Sequence, residues 1–318
     1  MSFGCFFDLG ALAMKPPTLC EVLRTFGNDQ SCREYLEALR WPDRVTCPRC
    51  QSVKTSRVYD RKVFDCDSCR YQFSVLAGTI FQDTKLPLPT WFAATYLMCE
   101  SRKGVSANQI KRMIGGSYKT SWYLCHRIRA AMKEVNPQPL DGTLEMDETW
   151  VGGREKNPHG AGRIPYSESK KVPVIGIKQR GGELRFFHAE DAKSGTLAKY
   201  IRENVSGDAD VIMTDDWGAA PGAMRKAGVS PAKHKTVNHS AKVYVDGDIT
   251  TNGIESAFSL LKRGIVGSWH KLSAKHLEAY LDEMTFRFNN RNNPYLFRDT
   301  MQKLIEAPVL EYKNLIAA

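Results

Sequence analysis

Three acidic residues have the chemistry and the sequence context needed to bind divalent cations. Asp147 lies in the strand-like run Leu144–Val151, Asp215 ends the apolar run Val211–Asp215, and Glu255 lies near the start of a helix-like run. Mg²⁺ and Mn²⁺ prefer hard oxygen ligands, and two such ions can stabilise the attacking and leaving oxygens of a phosphodiester. Two strand carboxylates and one helix carboxylate therefore predict a site for two Mg²⁺ (or Mn²⁺) ions that is suited to phosphoryl transfer.

The helix-like run from Asn252 predicts how the third carboxylate is presented. At 3.6 residues per turn, one polar stripe holds Glu255 as a predicted ligand and Lys262 as a predicted contact for DNA phosphate. The opposite stripe should pack on a sheet and consists of Ile254, Phe258, Leu261 and Ile265. Two alternatives stay open. Asn252 and Glu255 could form a capping box, or Asn252 could be the ligand, through its carbonyl oxygen, while Glu255 caps the helix.

The two strand positions also have competitors. Strand alternation places Glu145 on the same face as Asp147. A carboxylate within an otherwise apolar strand is disfavoured unless something compensates it, and metal ligation at Asp147 would do so. Asp216 competes with Asp215 for the second position, but it could instead cap the short helix predicted over 218–227.

Four cysteines form two closely spaced pairs. Cys47 and Cys50 are followed, after fifteen residues, by Cys66 and Cys69, and each pair encloses two residues. This spacing is typical of a closed tetrahedral Zn²⁺ site, and four thiolate ligands leave no open position on the metal. We therefore predict one structural zinc ion. The other five cysteines are scattered, which indicates a reducing compartment and no disulfide framework.

The order of elements predicts an α/β fold. From residue 142 the pattern gives three strands, then helix, strand, helix, strand and helix, which is the order of an RNase H-like mixed sheet. In that topology the first and fourth strands are neighbours, so Asp147 and Asp215 should lie close together. The predicted domains are an N-terminal helical segment, a zinc ribbon, a helix-turn-helix-like region, the RNase H-like catalytic domain and a C-terminal tail, over residues 1–40, 41–76, 87–134, 142–295 and 296–318.

The region before the predicted catalytic domain is helical. Thr90 is a predicted N-cap, and two further helices, over 104–114 and 119–132, are separated by two glycines as in a helix-turn-helix. Lys119 would lie at the start of the second of these helices, where short polar and basic side chains reach bases and phosphates. The same helix pair could instead serve only for packing.

The charge of the chain favours a polyanionic partner. The net charge is +10, from 45 basic and 35 acidic residues, which favours DNA although basic soluble proteins without such partners exist. Arg57 and Lys62 of the ribbon are predicted phosphate contacts, with a merely solvated basic face as the alternative. The sequence has neither a long apolar run nor a basic leader, so we expect no membrane partner and a cytoplasmic location.

Seven short blocks, taken together and in order, resemble one group of proteins. These are the bacterial insertion-sequence DDE transposases with an N-terminal zinc ribbon, the ISXO2-like group related to the Merlin elements. The resemblance spans about residues 25–295. It is carried by residues 146–153, 214–217, 237–240, 252–255, 261–264, 275–277 and 286–291, which read MDETWVGG, TDDW, VNHS, NGIE, LKRG, KHL and FRFNNR.

The resemblance implies a DNA transposase that binds the terminal inverted repeats of its element and catalyses metal-dependent strand cleavage and strand transfer. It implies that Lys262 belongs to the signature of the third acidic residue, that Arg263 contacts DNA, and that His239 contacts phosphate or steadies the last strand. A homo-oligomer in the DNA complex and a nucleoid-associated bacterial location are further expectations. The alternatives are a nuclease or resolvase that only cleaves, and a DNA-binding regulator with an inactive catalytic domain.

Overall fold

The structure is a computed structural model that describes residues 16–153, 171–215, 218–237, 248–270 and 272–317. The chain divides into two compact units. One spans Met1–Met132 together with Asn292–Ala318, and the other spans Lys133–Arg291. Among the helices within the described ranges, none is both long and apolar enough to cross a membrane.

The first unit begins with helices and a small antiparallel sheet. Its elements are α1 (Leu19–Thr25), α2 (Asp29–Arg40), β1 (Thr55–Val58), β2 (Val63–Cys66), β3 (Gln72–Phe73), α3 (Leu88–Glu100), α4 (Ala107–Ile114) and α5 (Tyr118–Met132). The sheet has the order β1-β2-β3, and Phe64 and Phe73 form its small core with Cys47 and Cys66.

Local sequence explains where the helices of this region begin. The structure corrects two of the predicted starts. Helix α3 begins at Leu88, directly after Pro87, so Thr90 lies in the first turn and is not the N-cap. Helix α4 begins at Ala107, three residues later than predicted, because Ser106 is its N-cap and accepts a hydrogen bond from the Gln109 amide at 3.1 Å.

The second unit holds the larger sheet and the helices that cover it. Its elements are β4 (Thr143–Val151), β5 (Val172–Gln179), β6 (Leu184–His188), α6 (Ser194–Asn204), β7 (Val211–Asp215), α7 (Ala220–Ala227), β8 (His234–Val237), α8 (Asn252–Gly264) and α9 (Ala274–Asn289). The sheet order is β6-β5-β4-β7-β8. Strands β4, β5 and β6 pair antiparallel, whereas β7 pairs parallel with both β4 and β8. This is the predicted RNase H-like mixed sheet, and the predicted contact between its first and fourth strands is confirmed.

Apolar side chains cover both faces of this sheet. On one face α8 and α9 bury Ile254, Phe258 and Leu281, as the helical spacing predicts for α8. On the other face α6 and α7 bury Leu197 and Met224. Burial of this apolar surface from water is the main stabilising contribution to the unit.

Gly176 of β5 allows α8 to approach the sheet closely. It pairs with Asp147 of β4, and a Cβ atom at this position would lie 2.7 Å from Ile254 and 2.8 Å from Phe258. Both neighbours are buried core side chains, so a larger residue would push α8 away from the strand that carries Asp147. The distance between Asp147 and the helix that bears Glu255 therefore depends on this glycine.

Residues 296–318 were predicted as a C-terminal tail, and the described part of this segment contains two helices. These are α10 (Leu296–Glu306) and α11 (Tyr312–Ala317), and they belong to the first unit. Phe297 of α10 is buried against the rings of Phe26, Phe92 and Tyr96. The segment thus completes the aromatic core of the first unit.

Candidate metal centres and nucleic-acid contacts

The strand pairing brings Asp147 and Asp215 to the same level of the sheet. In the parallel ladder between β4 and β7, Glu145 is the partner of Met213, and this is the last pair of the ladder. Asp147 and Asp215 each follow two residues later on their own strand. Neighbouring strands lie about 4.8 Å apart, and here the two strands stop pairing. The carboxylates therefore lie side by side where the sheet opens into a cleft.

A cleft of ≈ 420 Å³ at this point gathers the predicted catalytic residues. It is lined by Asp147, Glu148, Thr149, Trp150, Asp215, Glu255 and Lys262. A second, adjoining cleft of ≈ 540 Å³ extends along α8 past Lys262 to Arg263 and Val266. Asn252 lies outside the described lining of both clefts, and its side chain is exposed at the first turn of α8. The geometry thus favours Glu255 over Asn252 as the third acidic position.

The capping-box interpretation of Asn252 and Glu255 is wrong. The N-cap of α8 is Thr251, and its hydroxyl donates a hydrogen bond to Glu255 Oε1 at 3.0 Å. One of the first-turn amides that lack an intrahelical partner, that of Ile254, donates to Glu145 Oε2 at 2.8 Å. Asn252 is therefore not the N-cap, and Glu255, bound by the Thr251 hydroxyl, lines the cleft.

The electrostatic surroundings of the cleft favour a positive charge beside its carboxylates. The pKa of the Asp147 carboxyl is raised to about 7, first by burial and then by the negative charges of Asp215 and Glu255. The backbone amide of Glu148 and the ammonium group of Lys262 act in the opposite direction. Repulsion among half-buried carboxylates is relieved by a bound cation. The oxygen-rich donor set and the raised pKa therefore both fit hard divalent ions.

Glu148 is a cleft residue that sequence reasoning did not single out as a ligand. The pKa of its carboxyl is raised to about 8, by burial and then by the charges of Asp147 and Asp215. Strand alternation predicts that it points away from Asp147, and no local signal reveals that β4 loses its neighbour β7 beyond Glu145. The side chain is a further oxygen donor in the cleft.

The four predicted zinc ligands converge on one point. All four sulfur atoms lie within 4.8 Å of one another, with Cys47 Sγ 3.7 Å from Cys69 Sγ and Cys50 Sγ 3.5 Å from Cys66 Sγ. Zn–S bonds of about 2.3 Å in a tetrahedron require S–S separations of about 3.8 Å. The cluster therefore fits Zn²⁺. In the described part of the chain, the cleft carboxylates do not form so compact a set.

The predicted DNA contacts differ in their surroundings. Lys62, Lys119, Lys262 and Arg263 are exposed, and the Lys119 ammonium lies 4.4 Å from the centre of the Tyr312 ring. Arg57 is less available, because its guanidinium pairs with Glu37 and lies 4.6 Å from the centre of the Phe64 ring.

His239 and Asp216 lie outside the described residues. Within the described residues, the last strand has another histidine contact. His234 Nε2 lies 3.0 Å from the hydroxyl of Thr214, which is the residue before Asp215. Burial lowers the pKa of His234, so a neutral imidazole is favoured in this position.

Comparison with known proteins assigns the family. A family model of the ISXO2-like transposase domain matches residues 139–289, which include Asp147, Asp215 and Glu255. A model of the transposase zinc-ribbon domain matches residues 27–72, which include the four cysteines. Together the two matches cover more than half of the chain. The chain combines a transposase zinc-ribbon domain with an ISXO2-like transposase domain.

Individual relatives of this transposase are distant. An uncharacterized protein in the transposable element ISH50 of Halobacterium salinarum is 28% identical over 281 residues, which are 83% of this chain and 92% of that protein. Among solved structures, the Mos1 strand transfer complex has 10% identity and a TM-score of 0.30, covering 71% of this chain and 77% of that chain. A pre-cleavage Mos1 transpososome has 9% identity and a TM-score of 0.24, covering 71% and 78%.

Proposed function

We propose that this transposase binds the terminal inverted repeats of its element and catalyses metal-dependent strand cleavage and strand transfer. Asp147, Asp215 and Glu255 hold two Mg²⁺ (or Mn²⁺) ions in the cleft at the open end of the β4–β7 ladder. The observation that carries the proposal is the meeting of these three carboxylates with Lys262 in one cleft. Two ions would need ligands spread over a longer distance than one ion does, and the open cleft offers carboxylates from two strands and a helix.

The acidic residues of the cleft bind the metal ions, and its basic residues bind DNA phosphate. When bound, the divalent ions supply a more acidic water or 3′-hydroxyl as nucleophile and stabilise the leaving 3′-oxygen. Asp147 and Asp215 are fixed by adjacent strands, so their separation changes little when DNA arrives. Lys262, exposed about two turns after Glu255, offers its ammonium group to a DNA phosphate, and Arg263 extends this basic edge.

The first unit supplies DNA binding in this proposal. Lys62 of the ribbon contacts phosphate, and Lys119 at the start of α5 contacts the inverted repeat as part of the α4–α5 helix pair. Arg57 has a smaller share in phosphate binding because Glu37 already neutralises it. We expect two or more copies of the transposase to act together, because an element has two ends to cut and join.

A strand-transfer assay tests the proposal. Wild-type protein with Mg²⁺ and end-sequence DNA should give both cut ends and products joined to target DNA. Asp147→Ala and Asp215→Ala should give neither product while still binding end DNA in a gel shift. Asp208→Ala is the matched control, because Asp208 is an exposed carboxylate of the same unit and its loss should leave activity unchanged.

Three outcomes would contradict the proposal. Cut ends without joined products would identify a nuclease that only cleaves. DNA binding without any cutting would identify a regulator with an inactive catalytic domain. Cleavage that survives Asp147→Ala would place the metal site elsewhere.

A further inference from the structure

Glu145 is a buried carboxylate that the proposed chemistry does not use. Its side chain is 3% exposed and does not line either cleft among the described residues. Its two oxygens are both engaged: Oε2 accepts the amide of Ile254 at 2.8 Å, and Oε1 pairs with Arg180 Nε at 3.1 Å. Glu145 therefore lies away from the cleft and binds the first turn of α8.

Arg180 extends this contact to the segment that leads into α8. It follows β5, and its Nη1 donates to the carbonyl of Asp248 at 2.7 Å while its Nη2 donates to the carbonyl of Thr250 at 3.2 Å. One guanidinium group thus holds both the carboxylate on β4 and the backbone entering α8. A buried carboxylate is acceptable here because it is paired and fully hydrogen bonded.

Gly253 makes the close approach possible. A Cβ atom at this position would lie 2.6 Å from Glu145 Oε2 and 3.1 Å from Glu145 Cδ. Any larger residue would displace either the carboxylate or the first turn of α8. The contact therefore requires glutamate, arginine and glycine at three positions that are distant in sequence.

We infer that Glu145, Arg180 and Gly253 form a clamp that positions Glu255 against Asp147. Glu145 lies two residues before Asp147 on the same strand, and the amide that it binds lies one residue before Glu255. The carboxylate thus connects the elements that carry the first and third proposed ligands. The inference rests on the proposed function. Glu145 acts as a positioning residue, because both of its oxygens are bound by Ile254 and Arg180 and its side chain does not line the described clefts.

Mn²⁺ binding, measured by electron paramagnetic resonance on the metal-titrated full chain, tests the clamp without relying on activity. Glu145→Gln keeps the size of the side chain but removes the charge that holds Arg180. It should weaken Mn²⁺ binding by about tenfold or more, as changes to groups that orient metal ligands commonly do. Binding that remains in Asp147→Ala is subtracted as unrelated to the cleft. Affinity for end DNA should stay within about twofold of wild type.

A matched control separates positioning from general loss of stability. Glu283→Gln makes the same chemical change in another buried carboxylate, which pairs with Arg287 within α9. It should lower the melting temperature as Glu145→Gln does but leave Mn²⁺ affinity near that of wild type. If Glu145→Gln fails to fold, Arg180→Gln replaces it, because the Arg180 side chain is 30% exposed and tolerates change better.

The outcomes distinguish the clamp from the proposed function. Wild-type protein that neither binds Mn²⁺ in the cleft nor cleaves DNA would refute the proposed function. Wild-type binding and cleavage, with unchanged Mn²⁺ affinity in Glu145→Gln or Arg180→Gln, would overturn the clamp alone. Equal weakening by Glu283→Gln would also overturn it, because destabilisation would then explain the effect.

Discussion

The cysteine cluster and the carboxylate cleft differ in how closely their metal-binding groups are arranged before any metal binds. The four sulfur atoms lie within 4.8 Å of one another, and two short segments close to each other in sequence supply them. The cleft carboxylates come from two strands and a helix spread over more than a hundred residues, and they lie in an open cleft. The first arrangement suits an ion that holds a fold, and the second suits ions that must also accept DNA oxygens.

The largest effect should come from removing a zinc ligand. Cys47→Ser should release the one zinc ion per chain and unfold the ribbon, because structural zinc contributes about 10–16 kcal/mol in small zinc domains. Elemental analysis and circular dichroism would measure both losses. Mn²⁺ binding in the cleft should survive, since it belongs to the other unit. A ribbon that stays folded in zinc-free protein would show that zinc has no structural role there.

The third acidic position gives the next largest effect. Glu255→Ala should reduce the cleavage rate by about 10³-fold or more, because it removes a proposed ligand. Asn252→Ala should change the rate by less than about threefold, because Asn252 is exposed and outside the lining of the cleft. Single-turnover cleavage in Mg²⁺ and in Mn²⁺ measures both variants. The reverse result would make Asn252 the ligand.

The stabilisation of the protein by Mn²⁺ should depend on pH, because the cleft carboxylates also bind protons. The pKa values of Asp147 and Glu148 are raised to about 7 and about 8, so protons compete with cations for the cleft below that range. A raised carboxyl pKa stabilises the metal-free fold at low pH, and this contribution is lost as pH rises through the folded-state pKa. Mn²⁺ should therefore raise the melting temperature more at about pH 8.5 than at about pH 6.

The control for this pH effect is a change at Asp147 itself. Asp147→Asn should reduce the difference in melting temperature between the two pH values, whereas Asp208→Asn should preserve it. A stabilisation by Mn²⁺ that does not depend on pH would show that the cleft carboxylates are ionised throughout.

The smallest effect should distinguish two basic residues of the ribbon. Lys62→Ala should weaken binding to all DNA sequences a few fold and lower the slope of the salt dependence by about one, because one phosphate contact is lost. Arg57→Ala should instead lower the melting temperature, because it breaks the ion pair with Glu37. Salt titrations of DNA binding measure the slope for both variants, and thermal melts measure their stability. If the salt dependence of DNA affinity has the same slope in Lys62→Ala as in wild type, Lys62 does not contact phosphate.

Sequence reasoning predicted the features that depend on local spacing. The cysteine pairs, the buried stripe of α8 and the neighbouring positions of β4 and β7 follow from short-range patterns and from the order of elements. Hydrophobic periodicity fixes which face of a helix is buried, so the direction of Glu255 could also be predicted.

Features that depend on tertiary contacts were missed. The partner of Arg57 lies twenty residues away in α2, and the contacts of Glu145 join three elements. No local pattern distinguishes a glutamate that caps a distant helix from one that binds metal. Residues 296–318 were predicted as a tail because the packing partners of α10 and α11 lie more than 150 residues earlier in the chain, as between Phe297 and Phe92 and between Tyr312 and Tyr123.

The chain order of the two units has a consequence for folding during synthesis. The second unit is contiguous, so all of it has left the ribosome before residues 292–317 emerge. The first unit is split, and Phe26 and Phe92 lack their packing partner Phe297 until the whole of the second unit has emerged. Domains generally fold as units once their residues are available. We therefore expect the second unit to fold before the core of the first unit closes, although most of the first unit precedes it in the chain.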